Sequence, residues 1–281
     1  SVVIRLLDTM ESLWNIDQIG LDLEDRQKLN DVMTRSHGMF LTTGPTGCGK
    51  STTLYAMLME MRKKQVNILT IEDPVEFHIA DVQQMQVNRA ANFTFASALR
   101  NFFLHYPDII MFGEIRDQET ASIAVESALT GHLVLSTLHT NTAATTITRL
   151  LDLGVEAYLL RASLLAIMAQ RLVRLTCLHC REPENVDARM LQFLNLPKDA
   201  IFFQGSGCSH CNGTGIKHRK AIYELMVVTK EIQDLIVKNA EADKIHQLAI
   251  SQGMRPLTQV AINLALNGEI SLQEAWRVRT E

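Results

Sequence analysis

The run Gly44-Pro-Thr-Gly-Cys-Gly-Lys50-Ser51 constrains this chain more than any other, because G-x-x-x-x-G-K-S works only between a buried strand and the start of a helix. Both flanks fit: Met39-Phe-Leu41 reads as a strand, and Thr52 to Met61 reads as a helix. Glycines let backbone N–H groups curl around phosphate oxygens, and the helix start adds the positive end of its dipole. Gly44, Pro45, Thr46, Gly47, Cys48, Gly49, Lys50, Ser51 and Thr52 are therefore the predicted nucleotide loop. Lys50 is expected to reach the β- and γ-phosphates of ATP, and the Ser51 hydroxyl to ligate Mg²⁺. So many fixed positions in this context point to phosphate chemistry rather than to a glycine turn that merely joins strand to helix. Cys48 occupies a variable position of the loop and reads as filler that would make the site sensitive to alkylation.

Downstream, strand-like runs alternate with helical spacing, which predicts βαβ units and an α/β fold with a mostly parallel sheet. Asn67-Ile-Leu-Thr-Ile71 suits a buried parallel strand and ends in the acids Glu72, Asp73 and Glu76. Phe93 to Phe103 tends to helical spacing and is stopped by Pro107. Asp108-Ile-Ile-Met-Phe112 is the next strand, and Glu114 follows its tip. In such sheets ligands bind at the carboxyl ends of the strands. Glu114 is assigned to orienting and deprotonating an attacking water, and Glu72 and Glu76 to holding metal or water. His132 and His139 bracket the strand His132-Leu-Val-Leu-Ser-Thr137 and are candidates for sensing the γ-phosphate.

Cys177/Cys180 and Cys208/Cys211 form two C-x-x-C pairs. In a chain whose nucleotide motif implies a reducing compartment, such pairs predict a closed structural Zn²⁺ site rather than disulfides. At 281 residues and 47% hydrophobic content the chain can bury a full core. A net charge of −4 argues against a general nucleic-acid binder. No apolar run of membrane-spanning length occurs, so membrane contact is expected only through partners. The expected organisation is a tail of a preceding domain and entry helix over 1–35, a P-loop ATPase core over 36–175, a tetracysteine module over 176–225 and a helical domain over 226–281. The opening Ser1 to Asp8, strand-like and without an initiator Met, reads as the end of a preceding part of a longer protein.

The chain resembles the secretion ATPases of the type II secretion and type IV pilus assembly class. The resemblance rests on Gly44–Ser51, Ile71-Glu-Asp-Pro-Val-Glu-Phe77, Ile109-Ile-Met-Phe-Gly-Glu-Ile-Arg-Asp117 and Thr130-Gly-His-Leu-Val-Leu-Ser-Thr-Leu-His-Thr-Asn141, which are similar to that family's Walker A, acidic, Walker B and histidine boxes. It implies a RecA-like core, a homo-hexamer with nucleotide at subunit boundaries, Mg²⁺, and an inner-membrane platform protein as partner. It also implies a cytoplasmic location peripheral to the bacterial inner membrane. The tetracysteine pairs are similar to those of the assembly and secretion members rather than the retraction members. The chain departs from the family pattern at Leu104 and Tyr106, where relatives carry Arg and Asp, which points to slower hydrolysis. A nucleotide-binding scaffold with little turnover is the rival reading; a nucleic-acid motor is a weaker one.

Overall fold

The computed structural model describes residues 15–102 and 105–280; the opening strand-like tail and the Leu104 departure lie outside them. A seven-stranded sheet carries the fold, in the order β3-β2-β4-β5-β1-β6-β9. Its strands are β1 (Gly38–Thr43), β2 (Ile68–Glu72), β3 (Gln83–Gln86), β4 (Ile109–Phe112), β5 (Leu133–Leu138), β6 (Leu164–Thr176) and β9 (Ile216–Val227). Pairing is parallel from β3 through β6. β9 alone runs antiparallel, zipped to β6 with Ala166 opposite Val227.

Both faces of the sheet are covered, and the alternation along each strand sorts side chains between them. Met39, Leu41, Ile110, Phe112 and Val134 belong to the larger core. That core is closed by α3 (Phe95–Phe102), α4 (Gln118–Leu129), α5 (Ala143–Asp152) and α6 (Ala157–Ser163). Phe40, Met111, Leu133 and Leu135 face the other way, against α1 (Leu23–Met33) and α2 (Lys50–Met61). Apolar side chains on two faces are what a strand buried on both sides requires, and the compact runs read from the sequence reflect it.

The C-terminal stretch forms α8 (Lys230–Val237), α9 (Ala242–Ser251), α10 (Leu257–Leu266) and α11 (Leu272–Val278). Ile232, Ile245, Leu257 and Leu272 of these helices are buried in the same core as the sheet. The cysteine-bearing segment holds a small antiparallel pair, β7 (Arg181–Pro183) with β8 (Phe203–Gly205), and the short helix α7 (Ala188–Phe193). Its two ends are the ends of β6 and β9, so the segment hangs from the sheet's last two strands. Where the end of β8 passes the segment's exit, a Cβ on Gly205 would lie 2.0 Å from the Gly215 carbonyl oxygen, so only glycine permits that crossing.

Candidate nucleotide cleft and cysteine cluster

The phosphate loop turns at the carboxyl end of β1, between β5 and β6. Its backbone enters the left-handed region at Gly44 (φ 144°), Gly47 (φ 77°) and Gly49 (φ 92°), which exposes successive N–H groups to one concavity. Side chains there would collide with the neighbours: a Cβ on Gly44 would meet the Gln170 carbonyl at 2.5 Å, and one on Gly49 the Gln170 amide at 2.7 Å. The glycine backbone thus leaves room for the close approach that a phosphate chain needs. Lys50 donates from Nζ to the Gly44 and Pro45 carbonyls at 2.8 and 3.1 Å. Burial lowers its pKa, against the opposing pull of Cys48 and Glu114.

A cleft of about 540 Å³ opens over the loop and gathers Lys50, Ser51, Glu72, Glu76, Glu114 and His139. Glu114 sits just beyond the tip of β4, with a side chain 12% exposed. One carboxylate oxygen is ion-paired to Arg116, and the other lies 3.4 Å from His139 Nε2. That pairing raises the Arg116 pKa. Thr137 donates to the Gly113 carbonyl at 2.7 Å, tying the tip of β5 to the glycine beside Glu114. Glu72 is held more tightly. It accepts from Tyr55 Oη, from Thr70 Oγ1 at 2.6 Å and from Gln84 Nε2 at 3.1 Å, and is 4% exposed. Burial, and then the adjoining Glu72 carboxylate, push the Tyr55 phenol well above its usual value. The Tyr55 hydroxyl also accepts the Glu76 N–H at 3.2 Å, so one ring links both acids to α2.

The fold places two of the expected features elsewhere. His132 precedes β5, with Nδ1 3.0 Å from the Ser127 carbonyl oxygen, and does not line the cleft. A whole strand separates it from His139, because β5 runs parallel to β1 and its first residue lies at the sheet's opposite edge. Tyr106 is likewise at that far edge, before β4, and 86% exposed. Cys48 also departs from expectation as an alkylation-sensitive thiol. It is 3% exposed, and burial pushes its thiol up, so little reactive thiolate is available.

Several residues of the site escaped the sequence reading. Gln170, 2% exposed on β6, donates to the Cys48 carbonyl at 2.7 Å and accepts from Thr53 Oγ1 at 3.0 Å, clamping the loop to the sheet. Its signal was a polar residue within an apolar strand. Tyr55 stands four residues after Ser51, on the same face of α2, a spacing that could have flagged it. A further cavity of about 630 Å³, bordered by Gln18, Gly20, Thr52, Thr53 and Tyr223, adjoins the start of α2.

The four cysteines Cys177, Cys180, Cys208 and Cys211 come together with their sulfurs all within 4.8 Å of one another. Three of the separations are 3.9, 3.8 and 3.7 Å. A tetrahedral ion with Zn–S bonds of about 2.3 Å requires sulfur–sulfur edges of about 3.8 Å, so the cluster fits such a centre. Backbone N–H groups of Cys208 and Gly215 donate to Cys211 Sγ at 3.1 and 3.2 Å. Against burial, which pushes the thiol up, these bonds pull Cys211 down to about 6. His179 and His210, the residues inside the knuckles, stack on each other with ring centres 3.8 Å apart.

A phosphate loop at the carboxyl edge of a largely parallel sheet, with a strand-tip glutamate facing it, defines a RecA-like P-loop ATPase fold. Comparison with known proteins narrows the class. The chain belongs to the family described as Type II/IV secretion system protein, whose model matches residues 1–277. It is 43% identical to the Type II secretion system protein E of Aeromonas hydrophila, over 100% of this chain and 56% of that protein. It is 45% identical to the type IV pilus assembly ATPase PilB of Thermus thermophilus, over 97% of this chain and 31% of that one. The chain thus spans about half the length, or less, of these curated relatives. Among solved structures, the pilus retraction motor PilT with bound ADP superposes with a TM-score of 0.73 at 28% identity, over 98% of this chain and 69% of that chain. The Legionella pneumophila ATPase DotB shares the fold, with a TM-score of 0.68 at 23% identity, over 94% of this chain and 64% of that chain.

Proposed function

We propose that the protein hydrolyses ATP with Mg²⁺ as a subunit of a hexameric motor that drives assembly of a type IV pilus or a type II secretion pseudopilus. The observation that carries this reading is the convergence of Lys50, Ser51, Glu114 and His139 on one cleft at the carboxyl edge of the sheet. The names of the relatives support the biological setting. Phosphoryl transfer to water needs positioning and charge neutralisation more than covalent help. Lys50 would release its two loop carbonyls to meet the β- and γ-phosphates. The Ser51 hydroxyl would hold Mg²⁺, which supplies charge neutralisation to the phosphates. Glu114 would take the proton of the attacking water, with Arg116 and His139 holding its two oxygens in place until the γ-phosphate competes for those two donors. Glu72, tied by three protein donors, would act as a fixed negative wall behind metal or water. The base and ribose would extend into the cavity beside Gln18 and Tyr223.

The tetracysteine cluster would hold Zn²⁺ as a structural centre. The motor would lie on the cytoplasmic side, peripheral to the bacterial inner membrane and coupled to a platform protein there. No helix among the described residues is long and apolar enough to cross a membrane. The ion pair between Glu114 and Arg116 favours a second reading, a nucleotide-binding scaffold with little turnover, because it occupies one oxygen of the base. Nucleotide binding and phosphate release by the Glu114→Gln and Lys50→Ala variants separate the two. The motor requires Glu114→Gln to bind ATP and lose turnover, and Lys50→Ala to lose binding. Turnover unchanged by Glu114→Gln would remove Glu114 from the mechanism.

A further inference from the structure

On the outer side of the phosphate loop lies a cavity of about 550 Å³ that is separate in character from the nucleotide cleft. Five arginines line it: Arg171 and Arg174 from β6, Arg219 from β9, Arg277 from α11, and Arg279 just beyond. The chain as a whole carries a net charge of −4, so this concentration of guanidinium runs against the overall balance.

The acids nearby do not neutralise it. Glu274 accepts from Arg174 Nε and a terminal nitrogen at 2.9 and 2.6 Å, and from Arg277 Nε and a terminal nitrogen at 2.9 and 2.6 Å. One carboxylate therefore serves two arginines. Glu224, behind Arg171, is committed to the Ala143 and Leu257 N–H groups at 2.9 and 3.3 Å. The remaining three guanidiniums have no carboxylate partner among the described residues. Arg171 donates to neutral oxygens only, those of Gln170 and Asn141, at 3.1 to 3.2 Å. The Arg219 side chain makes no hydrogen bond or ion pair with a described residue. Arg279 lies 3.7 Å over the Trp276 ring and donates to the Trp276 carbonyl at 2.8 Å, yet its Nε is buried with no partner. A buried donor left unmade, as Arg279 Nε is, is costly, whereas Arg219 is exposed and its fork is open to a ligand.

We propose that this cavity is a second anion site, which takes a ligand carrying adjacent phosphate groups through Arg171, Arg219 and Arg279. Each guanidinium presents a planar fork suited to paired oxygens. A single carboxylate offers two oxygens and would leave forks unmet, whereas a diphosphate offers enough for all three. The cavity shares Thr46, Gly47 and Leu172 with the nucleotide cleft, so its occupancy bears directly on the phosphate loop. The phosphates come either from a soluble diphosphate or from a lipid headgroup.

Calorimetric titration of the zinc-loaded chain with inorganic pyrophosphate tests this, with Trp276 fluorescence as a second readout. Wild type is expected to take two equivalents, one in each site, and Lys50→Ala to keep the outer one. Arg219→Gln/Arg279→Gln should keep the inner one and weaken the outer one by about tenfold or more. Should that double variant fold poorly, Arg219→Lys, which keeps charge and loses the fork, should still weaken the outer site. Cosedimentation with phosphatidic acid vesicles, reversed by pyrophosphate and absent in the double variant, would identify a lipid source; no cosedimentation identifies the soluble one. An outer equivalent whose affinity ignores the arginine substitutions, or no equivalent left in Lys50→Ala, overturns the proposal. Two equivalents retained by Lys50→Ala would count instead against the nucleotide cleft.

Discussion

Replacing Gln170 isolates the contact that holds the phosphate loop against the sheet. The amide makes two buried bonds, to the Cys48 carbonyl at 2.7 Å and from the Thr53 hydroxyl at 3.0 Å. Cys48 and Thr53 are 3% and 1% exposed, so water cannot replace the lost partner without rearrangement. Truncation leaves the Cys48 carbonyl and the Thr53 hydroxyl without the Gln170 amide, at a cost of about 1–3 kcal/mol. The space left by truncation adds to it, and Gln170→Ala is expected to lose about 2–4 kcal/mol. In a chain of this size that lowers the unfolding midpoint by roughly 5–15 °C. Gln170→Met, similar in volume but without hydrogen bonds, should recover only the packing part. Urea unfolding at fixed zinc gives the stabilities, and mass-spectrometric mapping of alkylation reports on Cys48. Both variants should expose Cys48 and weaken ATP binding. If Gln170→Met stays within about 0.5 kcal/mol of wild type with Cys48 still protected, the clamp does not hold the loop.

Other expectations concern the cysteine cluster and the arginine cavity. Freshly purified protein should contain one zinc per chain, and Cys211→Ser or chelation should lower the unfolding midpoint by roughly 10 °C. Metal-free protein of full stability would contradict the assignment. Against burial, which raises it, Arg277 and Arg174 hold the Glu274 carboxyl down to about 2 from its ordinary 4.5. A carboxyl depressed in the folded state stabilises above about 4.5 and loses that contribution as pH falls toward 2. Glu274→Gln should therefore cost about 1–3 kcal/mol near neutral pH, since the arginines are half exposed. Its gap to wild type in urea unfolding should close over that acid range, and a gap independent of pH would refute the linkage.

The sequence made the strand–loop–helix at Gly44–Ser51 legible because its chemistry is local: spacing alone aligns glycine, lysine and serine with one helix start. The strand-tip acids were legible for a related reason, since in a parallel sheet whatever follows a strand faces the ligand edge. The same rule accounts for His132, which precedes its strand and so lies at the other edge. Long-range partners were beyond reach. Gln170 meets Cys48 across more than a hundred residues, and nothing near either reveals the bond. Nor does the run after Gly215 announce that it will pair with β6, because the cysteines dominate the reading of that stretch. The arginine cavity is assembled from three separated segments, each unremarkable alone.

Mg²⁺-dependent phosphate release from ATP, measured for this chain and its Glu114→Gln variant over a wide range of protein concentration, tests the central claim most directly. A motor with sites shared between subunits predicts release that climbs faster than linearly with concentration and vanishes in the variant. Background release at every concentration, despite tight ATP binding, would contradict it and leave the scaffold.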